Sequence, residues 1–167
     1  MPRDIRKRRT MSNSWKLKTF SHLSATERAY IAGLIDGEGS ISIVKWKTTG
    51  KRRSEVRVSI YNCNRAMISW LEDKLHAKRR NVPRSKPSWK QAFVVALHSV
   101  SATLLLQTVL PYLVAKQGQA ELVITYQSTK RRVGRKGTGQ SVLEEREEMI
   151  SQIHLLNKRG RTDAVAS

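Results

Sequence analysis

Residues Ile31 to Ser40 read IAGLIDGEGS. An apolar run ends there in two acidic residues, Asp36 and Glu38, set among Gly33, Gly37 and Gly39. Just upstream, Ser24-Ala25-Thr26-Glu27 has the spacing of a capping box, in which the serine hydroxyl and the glutamate carboxylate each satisfy a free backbone N–H. The stretch predicts a helix that starts at Ser24, runs through Tyr30 and Leu34, and stops at the glycines near Gly37. Glu38 then falls just past the helix C-terminus, where carbonyl oxygens lack partners and the dipole is negative. A carboxylate beside free carbonyls is a hard-oxygen site suited to a divalent cation such as magnesium. Ala29, Gly33 and Gly37 recur at i, i+4 and i+8, so one helix stripe is almost bare and another backbone can approach it closely. Taken alone, the segment is read equally well as core packing ended by a glycine cap.

Beyond the motif the period changes from helical to alternating. Ser40 to Thr48, SISIVKWKT, predicts a strand, and Thr49-Gly50-Lys51 a turn. Ser54 to Tyr61, SEVRVSIY, predicts a second strand, with Val56, Val58 and Ile60 on one face and Glu55, Arg57, Ser59 and Tyr61 on the other. Such a hairpin has a polar face free to meet a ligand, and a two-stranded ribbon fits the major groove of B-DNA. In the first strand Ile41 and Ile43 should face the core, which puts Ser42, Val44, Trp46 and Thr48 on the polar face. The two large apolar groups there either contact thymine methyls or mark a bulge that shifts the register. Asn64 fits an N-cap, and Met67, Trp70, Leu71 and Leu75 give helical spacing through about His76. A second strand pair follows, roughly Lys78 to Arg84 and Lys90 to His98. Ser101 to Leu110 predicts a short helix ended by Pro111, and Val114 to about Lys130 another, with Leu122 and Ile124 toward the core. Arg131 to Gln140, RRVGRKGTGQ, is a basic glycine-rich loop. A second capping-box pattern, Ser141 to Glu144, opens a last helix to about Lys158.

Charge points to a polyanionic partner. Lys plus Arg exceed Asp plus Glu by 32 − 13 = 19, and the pI is about 10.9. That excess supplies salt-sensitive affinity for phosphate backbones, in a nuclease or in a ribosomal or chromatin-type protein alike. Between Lys45 and Lys90 there are fourteen Lys or Arg against three Asp or Glu, so the excess lies on the predicted sheet. Arg52, Arg53, Arg57, Arg79, Arg80, Arg84, Lys86 and Lys90 are therefore expected on a phosphate-tracking surface, Arg57 being read either as a bidentate contact to guanine or as a phosphate contact, with Arg135 and Lys136 reaching phosphate from the glycine-rich loop. The length suits one domain, residues 21–160, with a disordered tail from 161. Met1 to Phe20 is basic and reads as a flexible tail that grazes DNA, a transit peptide being the second reading and Met11 an alternative start. No apolar stretch suits a membrane, and no secretory signal is evident. The single cysteine, Cys63, excludes an intrachain disulfide and a zinc–cysteine cluster, consistent with a reducing intracellular compartment. His22, His76, His98 and His154 lack metal-ligand spacing and are assigned to surface or packing.

IAGLIDGEGS resembles the signature of the LAGLIDADG homing endonucleases, with Ile31 in place of the first leucine and GEG in place of ADG. The order of elements fits that family from about Ser24 to Gly160. The resemblance implies an α+β fold, an αββαββα core with C-terminal helices, in which four antiparallel strands form a saddle over DNA. One motif implies the homodimeric type, with Ala29, Ala32, Gly33, Asp36 and Gly37 between subunits. It implies that Glu38 binds the metal with the Gly37 carbonyl, that Asn64 orients metal-bound water, and that Lys116 sits near the scissile phosphate. Asp36 is expected to hold the helix end or the partner subunit. The cofactor implied is Mg2+, with Mn2+ or Ca2+ able to take its place in binding. The activity implied is cleavage of double-stranded DNA across the minor groove, leaving short 3′ overhangs, by a protein of a prokaryotic nucleoid or an organelle. An RNA maturase acting on intron RNA, or a non-cleaving DNA-binding regulator, are the other readings of the same fold.

Overall fold

The computed structural model describes residues 20–131 and 139–158, with the side chains of residues 51, 52 and 131 excepted. The first helix, α1 (Ala25–Glu38), opens on the expected capping box: Glu27 N–H donates to the Ser24 hydroxyl and Ser24 N–H donates to the Glu27 carboxylate. It runs one residue past Gly37, its expected end. Gly33 and Gly37 both stay helical, Glu38 is the last helical residue rather than the first beyond it, and Gly39 is the C-cap. Hydrogen bonding to Ile35 O from the Gly39 N–H outweighs the low helix propensity of the glycines.

Strands β1 (Gly39–Thr48) and β2 (Lys51–Asn62) pair without interruption from Gly39↔Ile60 to Thr48↔Lys51. The register leaves no room for a bulge, so Val44 and Trp46 do lie on the face away from the helices. Thr49 (φ 38°) and Gly50 (φ 75°) both have positive φ, the signature of the type I′ turn whose twist matches a two-residue hairpin. Helix α2 (Arg65–Leu75) follows, then the short β3 (Arg79–Asn81) and β4 (Phe93–His98). The second strand pair is thus shorter than its sequence suggested, because residues 82–92 form a loop closed by Val82 N–H to Ala92 O and by the Gln91 amide. The sheet order is β1-β2-β4-β3, all antiparallel.

Helices α3 (Ser99–Val109), α4 (Gln117–Arg131) and α5 (Gln140–Leu156) complete the fold, with a 3-10 turn at Leu110–Tyr112. Helix α4 begins after Val114 and Lys116, which belong to the connection before it. The Ser141–Glu144 capping box is absent: α5 starts two residues earlier, with Gly139 as N-cap and Ser141 inside the helix. All the helices pack on one face of the sheet, around Ile41, Ile43, Val56, Val58, Ile60, Val95 and Leu97. On α4 the fully buried residues are Ala120, Val123 and Tyr126, while Leu122 and Ile124 pack at the margin. Phe20, read from sequence as tail, is buried with Leu23 in this core; residues 1–19 and 161–167 lie outside the described residues. Among the described residues no helix is long and apolar enough to cross a membrane.

Candidate active site and nucleic-acid interface

The chain reverses from α1 into β1 at Gly39. A Cβ there would lie 2.6 Å from Ile35 Cα and 2.7 Å from Ile35 O, so only glycine permits this approach of strand to helix. The reversal leaves Glu38 exposed at the helix C-terminus, at the start of the edge strand β1.

Two side chains clasp this helix end. The Asp36 carboxylate accepts from Val114 N–H (2.8 Å) and Lys116 N–H (2.9 Å). In return the Lys116 ammonium donates to the carbonyls of Ile35 (2.7 Å), Asp36 (2.6 Å) and Gly39 (3.0 Å). A cation on terminal carbonyls opposes the negative end of the helix dipole and satisfies acceptors the helix cannot. Of the two roles the sequence left for Asp36, the geometry matches the one that holds the helix end from within the chain.

Asn64 caps α2: its Oδ1 accepts from Ala66 N–H (3.0 Å) and Met67 N–H (3.2 Å). It follows β2, whose Ile60 pairs with Gly39, so the start of α2 and the end of α1 flank the same corner of the sheet. Among the described residues, no three His, Cys, Asp or Glu side chains converge. A cation at this corner would be held by the Glu38 carboxylate, the Gly37 carbonyl, water and a substrate phosphate. That all-oxygen set, with few protein donors, fits magnesium, which keeps waters and binds through one or two carboxylates plus phosphate.

On the stripe predicted to meet a second backbone, Ala29, Gly33 and Gly37 are exposed, and a Cβ added at Gly33 or Gly37 would find no atom of the described residues within 4 Å. Ala32 does not belong to it. It is fully buried with Ile31 and Ile35, because one residue turns the helix by about 100° toward the core.

The sheet face away from the helices carries Ser42, Val44, Trp46 and Thr48 on β1, and Arg53, Glu55, Arg57 and Tyr61 on β2. Trp46 (40%) and Tyr61 (42%) are well exposed, whereas Ser59 is only 3% exposed. Ser59 sits on an inner strand between Ser40 and Ala96, flanked on its own face by the larger Arg57 and Tyr61, which is why it cannot offer its hydroxyl to a large ligand. Arg80, opposite Val94, shares this face. Arg79 does not: it lies on the helix side, pairs with Glu72 of α2 (2.5 Å), donates to Ser69 (3.0 Å) and stacks over Phe93. Strand alternation decides this, since the side-chain period is two. Arg84, Lys86 and Lys90 are exposed on the β3–β4 loop, where Arg84 donates to the carbonyls of Pro87 and Trp89. The Arg52 side chain, Arg135 and Lys136 lie outside the described residues.

Three residues of this surface were given no binding role from the sequence. Trp89, more than half exposed, carries Lys86 over its ring at 5.9 Å. Glu55 and His98 meet on the open sheet face at 3.0 Å. A carboxylate two positions before Arg57 on one strand face was the available signal for Glu55; His98 had none, since Ala92 to Leu97 before it is almost wholly apolar and alternation does not show its outward face.

No protein-family model matches the sequence, and a comparison with curated proteins finds no similar sequence. Solved structures do match. The homing endonuclease I-CvuI, in complex with its target, superposes with a TM-score of 0.65 at 20% identity, over 84% of this chain and 87% of that one. The archaeal intron-encoded homing endonuclease I-Vdi141I, complexed with DNA, gives 0.66 at 15% identity, over 84% and 89%. The LAGLIDADG homing endonuclease I-GzeII, in complex with a DNA target, gives 0.62 at 16% identity, over 77% of this chain but 45% of that one. With its αββαββα order, its four-stranded antiparallel sheet and its added C-terminal helices, the chain has the LAGLIDADG homing-endonuclease fold.

Proposed function

We propose that the chain is a site-specific DNA endonuclease of the homing type, intron-encoded, that cuts both strands by magnesium-dependent phosphodiester hydrolysis as a homodimer. The observation that carries this reading is Glu38: an exposed carboxylate ending the motif helix, at the corner of an open and basic sheet. The similar solved structures are described as homing endonucleases, which supports it. Bound by Glu38 and the Gly37 carbonyl, magnesium would supply Lewis-acid stabilisation of the leaving oxygen and ease deprotonation of the attacking water. Asn64, whose Oδ1 is committed to its cap, has Nδ2 left to orient that water. Lys116 adds positive charge beside the phosphate and keeps the helix end in place. The sheet face and the β3–β4 loop meet DNA through Ser42, Val44, Trp46, Thr48, Arg53, Arg57, Tyr61, Arg80, Arg84, Lys86 and Lys90. Val44 and Trp46 are suited to thymine methyls.

One observation supports the homodimer. Among the described residues, a Cβ at Gly33 or Gly37 would meet no atom within 4 Å, although each glycine costs roughly 1 kcal/mol in a helix interior relative to alanine. Two-fold symmetry then implies a pseudo-palindromic site, with one Glu38 for each strand.

Plasmid cleavage tests the reading. The substrate carries the junction made by joining the two DNA flanks of this gene. Mg2+-dependent linearisation at that junction is expected. Specific binding with no cleavage at any Mg2+ concentration would overturn the endonuclease and favour a regulator.

A further inference from the structure

Among the described residues, the open sheet face carries one carboxylate, Glu55, among its cations. A carboxylate facing a polyanion is repelled by phosphate, so its presence there needs a partner. On the open face Glu55 meets His98 and Arg57 of the protein itself. Its Oε1 hydrogen-bonds His98 Nδ1 at 3.0 Å and lies 3.6 Å from Arg57 Nη2. The register brings the three together: Arg57 stands directly opposite His98 across the β2–β4 ladder, and Glu55 is two residues earlier on the same face. The Arg57 side chain is 35% exposed, yet its Nε is buried and makes no hydrogen bond among the described residues. The guanidinium is thus drawn toward Glu55 at Nη2, with its Nε turned away from solvent.

We propose that Glu55 and His98 are positioning residues that set the base preference of Arg57. His98 orients the Glu55 carboxylate, Glu55 orients the guanidinium, and Arg57 reads a guanine edge in the major groove. This rests on the DNA-binding reading above. A freely swinging arginine can settle on phosphate or on a base edge, whereas bidentate contact with guanine O6 and N7 requires the planar fork in one orientation. An orientation formed before binding also avoids the cost of ordering a long side chain on association. The carboxylate therefore lowers affinity for DNA in general while sharpening selectivity at one position, a repulsive element serving specificity.

Binding selection over a randomised site, with salt titrations, tests this on the full-length protein, each variant being checked for an unchanged melting profile. Arg57→Ala should erase base preference at one symmetric pair of positions, where wild type discriminates roughly 5- to 100-fold. Glu55→Gln should erase preference at the same pair while binding random DNA as tightly as wild type or more tightly. Glu55→Asp keeps the charge but draws the carboxylate back, and should lose preference without gaining affinity. His98→Ala should broaden the same pair. Unchanged preference in Glu55→Gln would overturn the proposal, as would a change confined to other positions, which would make Glu55 itself a base reader. A wild-type protein without salt-sensitive DNA binding would overturn the DNA-binding reading too, an outcome distinct from tight binding with unaltered preference.

Discussion

Replacing Gly33 with alanine has opposite consequences for one chain and for a dimer packed through α1. Among the described residues of a single chain the new Cβ meets no atom within 4 Å, so helix propensity is the term that changes, and alanine should stabilise each chain by about 0.8–1.0 kcal/mol. In a helix pair meeting along Ala29, Gly33 and Gly37, the same methyl stands between two backbones, once from each side of the two-fold axis. Overpacking of this kind costs about 1–3 kcal/mol per site, so two sites weaken association by roughly 2–6 kcal/mol, beyond tenfold in Kd. Sedimentation velocity over a concentration series, with thermal melts at matched concentrations, separates the terms. The expected result is a dimer-to-monomer shift, loss of double-strand cleavage despite an intact Glu38, and a monomer no less stable than the wild-type monomer. A Gly33→Ala protein that melts higher and associates like wild type would refute close approach of the two helices.

Glu38→Gln should abolish Mg2+-dependent cleavage while leaving DNA affinity nearly unchanged, since one neutralised carboxylate barely alters a net charge of +19; paired cleavage and electrophoretic-shift assays check it. Lys116→Met removes the ammonium from three carbonyls at the α1 terminus and should destabilise the fold by about 1–3 kcal/mol in urea unfolding, with cleavage falling further than the loss of folded protein explains. Asn64→Ala should cost about 0.5–2 kcal/mol through loss of the α2 cap, whereas Asn64→Asp should retain that stability, so a cleavage defect in the aspartate variant isolates the role at water. Glu27 is held at about 2, below its ordinary 4.5, first by Lys74 and then by the Ser24 N–H. A depressed carboxylate contributes stability above its unfolded value, and that contribution disappears as pH falls from about 4.5 through 2. Acid unfolding of Glu27→Gln should therefore be flatter over that window than that of wild type.

Local chemistry was legible in the residues wherever one segment suffices to satisfy itself. The Ser24–Glu27 capping box, the Asn64 cap, the turn at Thr49-Gly50 and the alternation of Val56, Val58 and Ile60 all depend on neighbours within a few positions, and all formed as expected. The order of elements, and with it the fold, followed from those signals together with the motif. Tertiary structure decided the rest, because those outcomes depend on partners distant in sequence. Glu38 stayed helical because the chain reverses against Ile35, an approach only Gly39 permits. Lys116, one lysine among many in the sequence, meets the end of α1 because the connection before α4 passes it some 80 positions later in the chain. Arg79 and Arg80 are adjacent and chemically alike, yet strand pairing sends one to Glu72 and leaves the other on the open face. Ser59 alternates as an exposed residue should, but a place on an inner strand between larger neighbours buries it. Periodicity tells which side of an element a residue takes; what stands on that side is set only when the elements pack.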